Sequence, residues 1–101
     1  MNNVQLLARF KMSKDIEVDI KELKSFIDVL KGFQDKATDE FKTLKSDWSK
    51  CDETWKGDAK DEFTDGFEET EQALERSIEA GDDSIRWLEK FYEILLEFDR
   101  N

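Results

Sequence analysis

The sequence contains no histidine, no proline, one cysteine and only 4 glycines among its 101 residues. Without proline and with so few glycines, the turn residues of a β fold are missing, so long uninterrupted helices are expected. One cysteine cannot form an internal disulfide, and the sequence therefore carries no sign of an oxidising compartment. The absence of histidine also removes the usual base that activates a cysteine nucleophile.

Basic residues are scarce beside acidic ones, at 16 against 26, which gives a net charge of −10. Such a charge repels phosphate backbones and anionic lipid headgroups, so we expect a protein partner and no nucleic acid. The longest apolar runs have three residues, as at 94–96, which predicts no membrane span. Residues 1–4 lack the charged-then-apolar plan of a cleavable signal peptide. These features predict one soluble domain that is made in the cytoplasm.

The chemistry-bearing residues favour neither catalysis nor a cofactor. Carboxylates are spread along the chain without His/Cys ligand clusters or an Asp-x-Asp-x-Asp-Gly loop, and no glycine-rich phosphate loop is present. Cys51 lies on an apolar row, where we expect a buried small hydrophobe rather than a nucleophile. We therefore predict a non-enzymatic protein with no catalytic residue, no metal site and no cofactor.

Two rows of residues at steps of three and four predict two long helices of similar length, each with one stripe facing a partner helix. The first row is Leu23, Ile27, Leu30, Gln34, Ala37, Phe41, Leu44, Trp48, Cys51 and Trp55. The second row is Ala59, Phe63, Phe67, Thr70, Leu74, Ile78, Gly81, Ile85, Leu88, Tyr92 and Leu95. We call these rows the seams.

The seams divide the single domain, residues 1–101, into a lead-in, two helices and a turn. We predict an extended or flexible lead-in over 1–18, helix 1 over 19–54, a turn over 55–58 and helix 2 over 59–98. Asp19 followed by Glu22 has the spacing of a capping box at the start of helix 1. The lead-in holds a short apolar cluster, whose members are Val4, Leu6, Leu7, Ala8 and Phe10.

The stretch Trp55-Lys56-Gly57-Asp58 predicts the point at which the chain reverses. We expect Gly57 at the C′ position of helix 1 with a positive φ, and Asp58 as the N-cap of helix 2. Trp55 is expected to cover the corner. Gly81 followed by two aspartates leaves open whether helix 2 kinks or breaks there, which would give three helices. Antiparallel pairing about Gly57 places Gly81 opposite Gly32 and Leu30, so a close approach of the two backbones is the other explanation.

A second apolar row lies beside each seam, on the same side of both predicted helices. In an antiparallel hairpin the two rows form one face at the end far from the turn, and we call it the apolar face: Phe26, Val29, Phe33, Trp87, Phe91, Ile94 and Phe98. Soluble monomers rarely expose so much contiguous apolar surface, and two helices alone bury little. The sequence therefore predicts an all-α, antiparallel two-helix hairpin that dimerises through this face into a four-helix bundle.

The turn resembles that of the WxG, or early-secreted-antigenic-target-like, proteins. Trp55-Lys56-Gly57, Ala59 and Phe63 fit their Trp-x-Gly-x-Ala-x-x-x-Phe pattern, and the resemblance covers roughly residues 16–98. It implies a dimeric substrate or escort of a bacterial type VII secretion system, secreted without a cleaved signal peptide. The implied partners are a copy of the chain or a sibling hairpin, a larger toxin and a secretion ATPase. The alternative is a cytosolic helical adaptor in which Trp-Lys-Gly is coincidental.

The export pattern of that family, Tyr-x-x-x-Asp/Glu near the C-terminus, is not matched. Leu96 stands four residues after Tyr92, and Glu97 comes one residue late, about 100° away on a helix. A looser pattern of similar proteins fits a second set, which we treat as a candidate export epitope: Ile85, Glu89, Tyr92 and Leu96. The N-terminal extension through Asp15 is longer than is usual in such proteins.

Overall fold

A computed structural model describes residues 18–100, which form two helices and contain no strand. Helix α1 is Ile20–Thr54 and helix α2 is Asp58–Arg100. The helices are antiparallel. Trp48 near the end of α1 contacts Phe67 near the start of α2, and Lys31 pairs with Glu89 farther from the turn. The predicted all-α hairpin is confirmed. Apart from Val18, the predicted lead-in and its cluster from Val4 to Phe10 lie outside the described residues.

Helix α1 begins with the expected cap. Asp19 has extended backbone angles, and its carboxylate accepts hydrogen bonds from the amides of Lys21, at 2.9 Å, and Glu22, at 3.1 Å. These bonds satisfy two of the donors that a helix start leaves unpaired, and Glu22 adds a favourable charge to the first turn. The start of the hairpin is therefore fixed by local sequence.

The corner differs by one residue from the expectation. Trp55 is the C-cap of α1 with extended backbone angles, so the C′ position falls on Lys56 rather than Gly57. Gly57 has φ +119° and its carbonyl oxygen accepts the Asp61 amide at 3.2 Å, which puts Gly57 before α2. Asp58 is the first helical residue and not an N-cap. Glycine is still required, because other residues are strained at this positive φ.

Helix α2 runs unbroken through Gly81, so the three-helix alternative is not adopted. The sequence predicted that Gly81 lies against Gly32, but it lies against Gln34. A Cβ at Gly81 would overlap the Gln34 side-chain amide. Gln34 is only 7% exposed. Its Nε2 donates to the Ile78 carbonyl oxygen at 2.9 Å and to Asp82 Oδ1 at 3.1 Å. Glycine here makes room for a buried, hydrogen-bonded amide.

The hairpin is a long, thin layer that measures 65 × 26 × 15 Å. Since a helix with its side chains is about 10–12 Å across, 15 Å is the thickness of one layer of helices. The buried apolar residues, Ile27, Ile85 and Leu95, all lie towards the end far from the turn. Cys51 is exposed, which corrects the expectation of burial, because a single layer covers only a narrow strip of each helix. Neither described helix contains a stretch apolar enough to cross a membrane.

Candidate functional site

Four aromatic rings close the corner of the hairpin. Trp48 lies at their centre, with ring centroids 6.4 Å from Trp55, 5.3 Å from Phe63 and 5.1 Å from Phe67. Trp55 also contacts Phe63 at 5.8 Å, and Phe63 stacks on Phe67 at 5.4 Å. Trp48 and Phe67 were expected only as seam residues. The cluster holds the last two turns of α1 against the first three turns of α2.

An ion pair joins the same two helix ends. Lys60 Nζ lies 2.6 Å from Asp52 Oδ1, and the Lys60 side chain is largely covered. The hydrogen bond from Asp52 raises the pKa of Lys60 above its ordinary value, although partial burial opposes this rise. A raised lysine pKa means that the pair is intact at neutral pH and is lost only as the pH rises through that value. Ala59, the remaining motif residue, is exposed beside it.

The corner thus brings Trp55, Gly57 and Phe63 together where the chain reverses. A family model described as WXG100, proteins of 100 residues with WXG, matches residues 15–91. The chain belongs to the WXG100 family. A search of curated proteins finds no match, and a search of solved structures finds none. WXG100 proteins are small, non-enzymatic helical proteins associated with type VII secretion, and they typically form partnered hairpins.

The apolar face of this WXG100 protein is open in the single hairpin. Phe26, Val29, Phe33 and Trp87 are 54%, 71%, 65% and 53% exposed. The three remaining members, Phe91, Ile94 and Phe98, are half-buried, and Phe91 stacks on Trp87 with ring centroids 5.3 Å apart. Large apolar side chains from both helices therefore stand in contact with solvent on one side of the layer.

A groove between the helices continues this face towards the turn. It has a volume of about 510 Å³, and its apolar lining is Phe33, Ala37, Phe41, Leu44, Leu74 and Ile78. Leu44 and Leu74 belong to the seams and were expected to be covered, yet each is more than one third exposed. Sequence reasoning missed the groove. The available signal was the small residue Ala37 on the α1 seam, where a larger side chain would fill the gap.

The opposite side of the layer is charged. Lys31 Nζ lies 3.1 Å from Glu89 Oε2 and bridges the two helices, and a small depression there is also lined by Asp35, Asp82 and Arg86. On the same side of α1, Lys24 pairs with Asp28 at 2.6 Å, and this hydrogen bond raises the pKa of Lys24. Within residues 18–100 the acidic side chains form no cluster that could hold a metal ion. The hairpin therefore has one apolar and one solvated side.

The candidate export epitope is partly buried in the contact between the helices and partly exposed at its edge. Ile85 is buried, while Tyr92 and Leu96 are half-buried. Glu89 remains half-exposed while its carboxylate binds Lys31. Only the last three residues of the set therefore reach the surface, along the edge of α2 that adjoins the charged side.

Proposed function

We propose that the chain is a non-enzymatic hairpin that binds a second hairpin, a copy of itself or a sibling, through its apolar face. The observation that carries this proposal is the exposure of Phe26, Val29, Phe33 and Trp87 on one side of a layer 15 Å thick. A second hairpin laid on that side would bury these side chains and produce a four-helix bundle with an enclosed core. Solvent exposure of the same side chains in a monomer is unfavourable, at about 25 cal/mol per Å² of apolar surface.

The assembled pair is a substrate of a type VII secretion system or the escort of a larger toxin. Membership of the WXG100 family supports this role. We propose that a secretion ATPase binds the export epitope through Glu89, Tyr92 and Leu96, the members of the set that reach the surface. Spacings of three and four place these residues on one side of α2, as a helical recognition motif requires.

Sedimentation equilibrium of the full chain tests the pairing. We expect a dimer at micromolar concentrations, and we expect Phe33→Ser to shift it towards monomer because a central ring of the interface is lost. Asp35→Ser is the matched control, since Asp35 is exposed two residues away and faces the charged side. The control should dimerise like the parent, and circular dichroism should show equal helix content in all three proteins.

Two results would contradict this function. A parent chain that stays monomeric, both alone and when mixed with any sibling hairpin from a neighbouring gene, leaves the apolar face without a partner. Equal dimerisation of the Phe33→Ser and Asp35→Ser variants would place the interface elsewhere on the hairpin.

A further inference from the structure

The first 14 residues differ in charge from the rest of the chain. They contain three basic residues, Arg9, Lys11 and Lys14, and no acidic one. All 26 acidic residues therefore follow, accompanied by the other 13 basic residues, which leaves a net charge of −13 on residues 15–101. The same 14 residues carry several large apolar side chains: Val4, Leu6, Leu7, Phe10 and Met12. A basic, apolar segment is thus joined to a strongly acidic hairpin.

The segment is attached at the end of the hairpin where the apolar face lies. Phe26 is eight residues after Val18, about 12 Å along α1 at 1.5 Å per residue. Trp87 lies farther along the hairpin, near the level of Phe33, because Lys31 on α1 meets Glu89 on α2. At about 3.3 Å per residue of extended chain, Phe10, eight residues before Val18, reaches up to about 26 Å, and Leu6, twelve residues before Val18, reaches up to about 40 Å. Leu6 and Phe10 can therefore reach the face and the beginning of the groove without strain.

The face and groove also offer charges that suit the segment. Glu22 lies one turn before Phe26, and Glu40 and Asp47 line the groove beyond Phe33. These carboxylates are placed to attract Arg9, Lys11 and Lys14 while the apolar side chains of the segment cover the rings. A second copy of the hairpin, with its excess of acidic residues, brings like charges to the same rims.

We infer that residues 1–14 bind the apolar face of their own chain and compete there with the second hairpin. This inference rests on the proposed function, since the competition concerns the same face. A tethered segment has an effective concentration on the order of millimolar, so it covers the face while partner hairpins are scarce. Binding of a partner then displaces it. If the segment is bound about nine tenths of the time, each covered hairpin weakens association about tenfold.

Disulfide trapping in the full chain tests the binding directly. In a Cys51→Ser background, Lys11→Cys places a thiol beside Phe10, and Ser84→Cys places a second thiol one turn before Trp87. Ser84 is exposed, and its replacement by cysteine preserves its size. The matched control replaces Ser84→Cys with Arg86→Cys, because Arg86 lines the charged side of the same helix. A disulfide forms only where the two Cα atoms approach within about 7 Å.

In dilute solution we expect the Lys11→Cys/Ser84→Cys protein to close a disulfide within one chain about tenfold faster than the Lys11→Cys/Arg86→Cys control. Mass spectrometry of the intact chain and counting of free thiols measure the two rates. Adding Leu6→Ser and Phe10→Ser should abolish the difference. Equal rates in the two proteins, or disulfides formed only between chains, would overturn the inference.

Sedimentation equilibrium separates this inference from the proposed function. In the otherwise native chain, Leu6→Ser/Phe10→Ser should strengthen dimerisation by about tenfold per covered hairpin. Selective trapping with unchanged dimerisation would refute the competition. Selective trapping in a protein that pairs with no hairpin at all would refute the proposed function and leave the binding of the segment in place. A dimer without selective trapping would refute the binding of the segment and leave the proposed function in place.

Discussion

Gln34 and Gly81 are the residues that set the register of the two helices. A buried amide without partners would cost about 1–3 kcal/mol, so its two hydrogen bonds to Ile78 and Asp82 hold α1 at one position along α2. A shift of the helices by one turn would leave the amide unsatisfied and bring a Cβ into its place. Gly81 is therefore a packing requirement, whereas Gly32, with open space around it in the described part of the chain, is not.

Gly81→Ala and Gly32→Ala should consequently change stability in opposite directions. At residue 81 we expect a loss of about 1–3 kcal/mol, because the added methyl group meets the buried Gln34 amide. At residue 32 we expect a gain of about 0.5–1 kcal/mol from improved helix propensity. Urea unfolding at one fixed protein concentration measures both free energies. Equal gains at the two positions would show that Gln34 moves aside freely.

At the scale of the helices, the sequence predicts most of what the structure contains. The steps of three and four follow directly from 3.6 residues per turn, so they identify which strip of each helix faces the other. Asp19 is recognised as a cap because its bonds are local. Cys51 and Gly57 were misplaced for a different reason. Their environment depends on how the two helices meet at the corner, which spacing along one helix does not specify.

The apolar face illustrates the same limit at the candidate site. The spacing of Phe26, Val29 and Phe33 identifies a second row on α1 from sequence alone. The groove beside it depends on the gap between α1 and α2, which leaves Leu44 and Leu74 uncovered although both follow the seam pattern. Prediction from one helix at a time therefore finds the rows of side chains but not the space between them.

The ring contacts of the corner cluster predict which of its two tryptophans stabilises the hairpin more. The Trp-x-Gly motif alone does not predict this. Trp48 contacts three rings and Trp55 contacts two. We expect Trp48→Ala to destabilise the hairpin by about 3 kcal/mol and Trp55→Ala by about 2 kcal/mol, since both rings are half-buried. Chemical unfolding followed by circular dichroism gives these values at a fixed chain concentration.

Trp87→Ala is the control for this comparison, because it removes an equally large ring from the apolar face. That ring is 53% exposed and stacks on Phe91 of its own helix. Its loss should reduce association while the unfolding free energy of the dilute monomer changes by less than about 1 kcal/mol. If the Trp55→Ala variant is less stable than the Trp48→Ala variant, the motif tryptophan contributes more to the stability of the corner than its ring contacts indicate.

The whole molecule is a single layer with one apolar and one charged side, and the two sides suit different surroundings. The apolar side is suited to a second hairpin and the charged side to solvent. Glu89 lies on the edge between them and has two explanations. Either it is only the partner of Lys31 in an ion pair between the helices, or it is also part of the epitope that the secretion ATPase reads.

Secretion assays on matched variants distinguish these explanations. Glu89→Gln removes the charge of the epitope and the ion pair together, whereas Lys31→Gln removes the ion pair and leaves Glu89 charged. The pair is about half exposed, so its loss should cost no more than about 1 kcal/mol, and both variants should fold and dimerise. If Glu89 is read directly, Glu89→Gln should lower secretion about tenfold, the effect of losing one contact to a charged group, while Lys31→Gln secretes like the parent. Leu96→Ala should resemble Glu89→Gln. Equal secretion of all four proteins would mean that this edge of α2 carries no export signal, and the chain would then leave the cell on the signal of a partner.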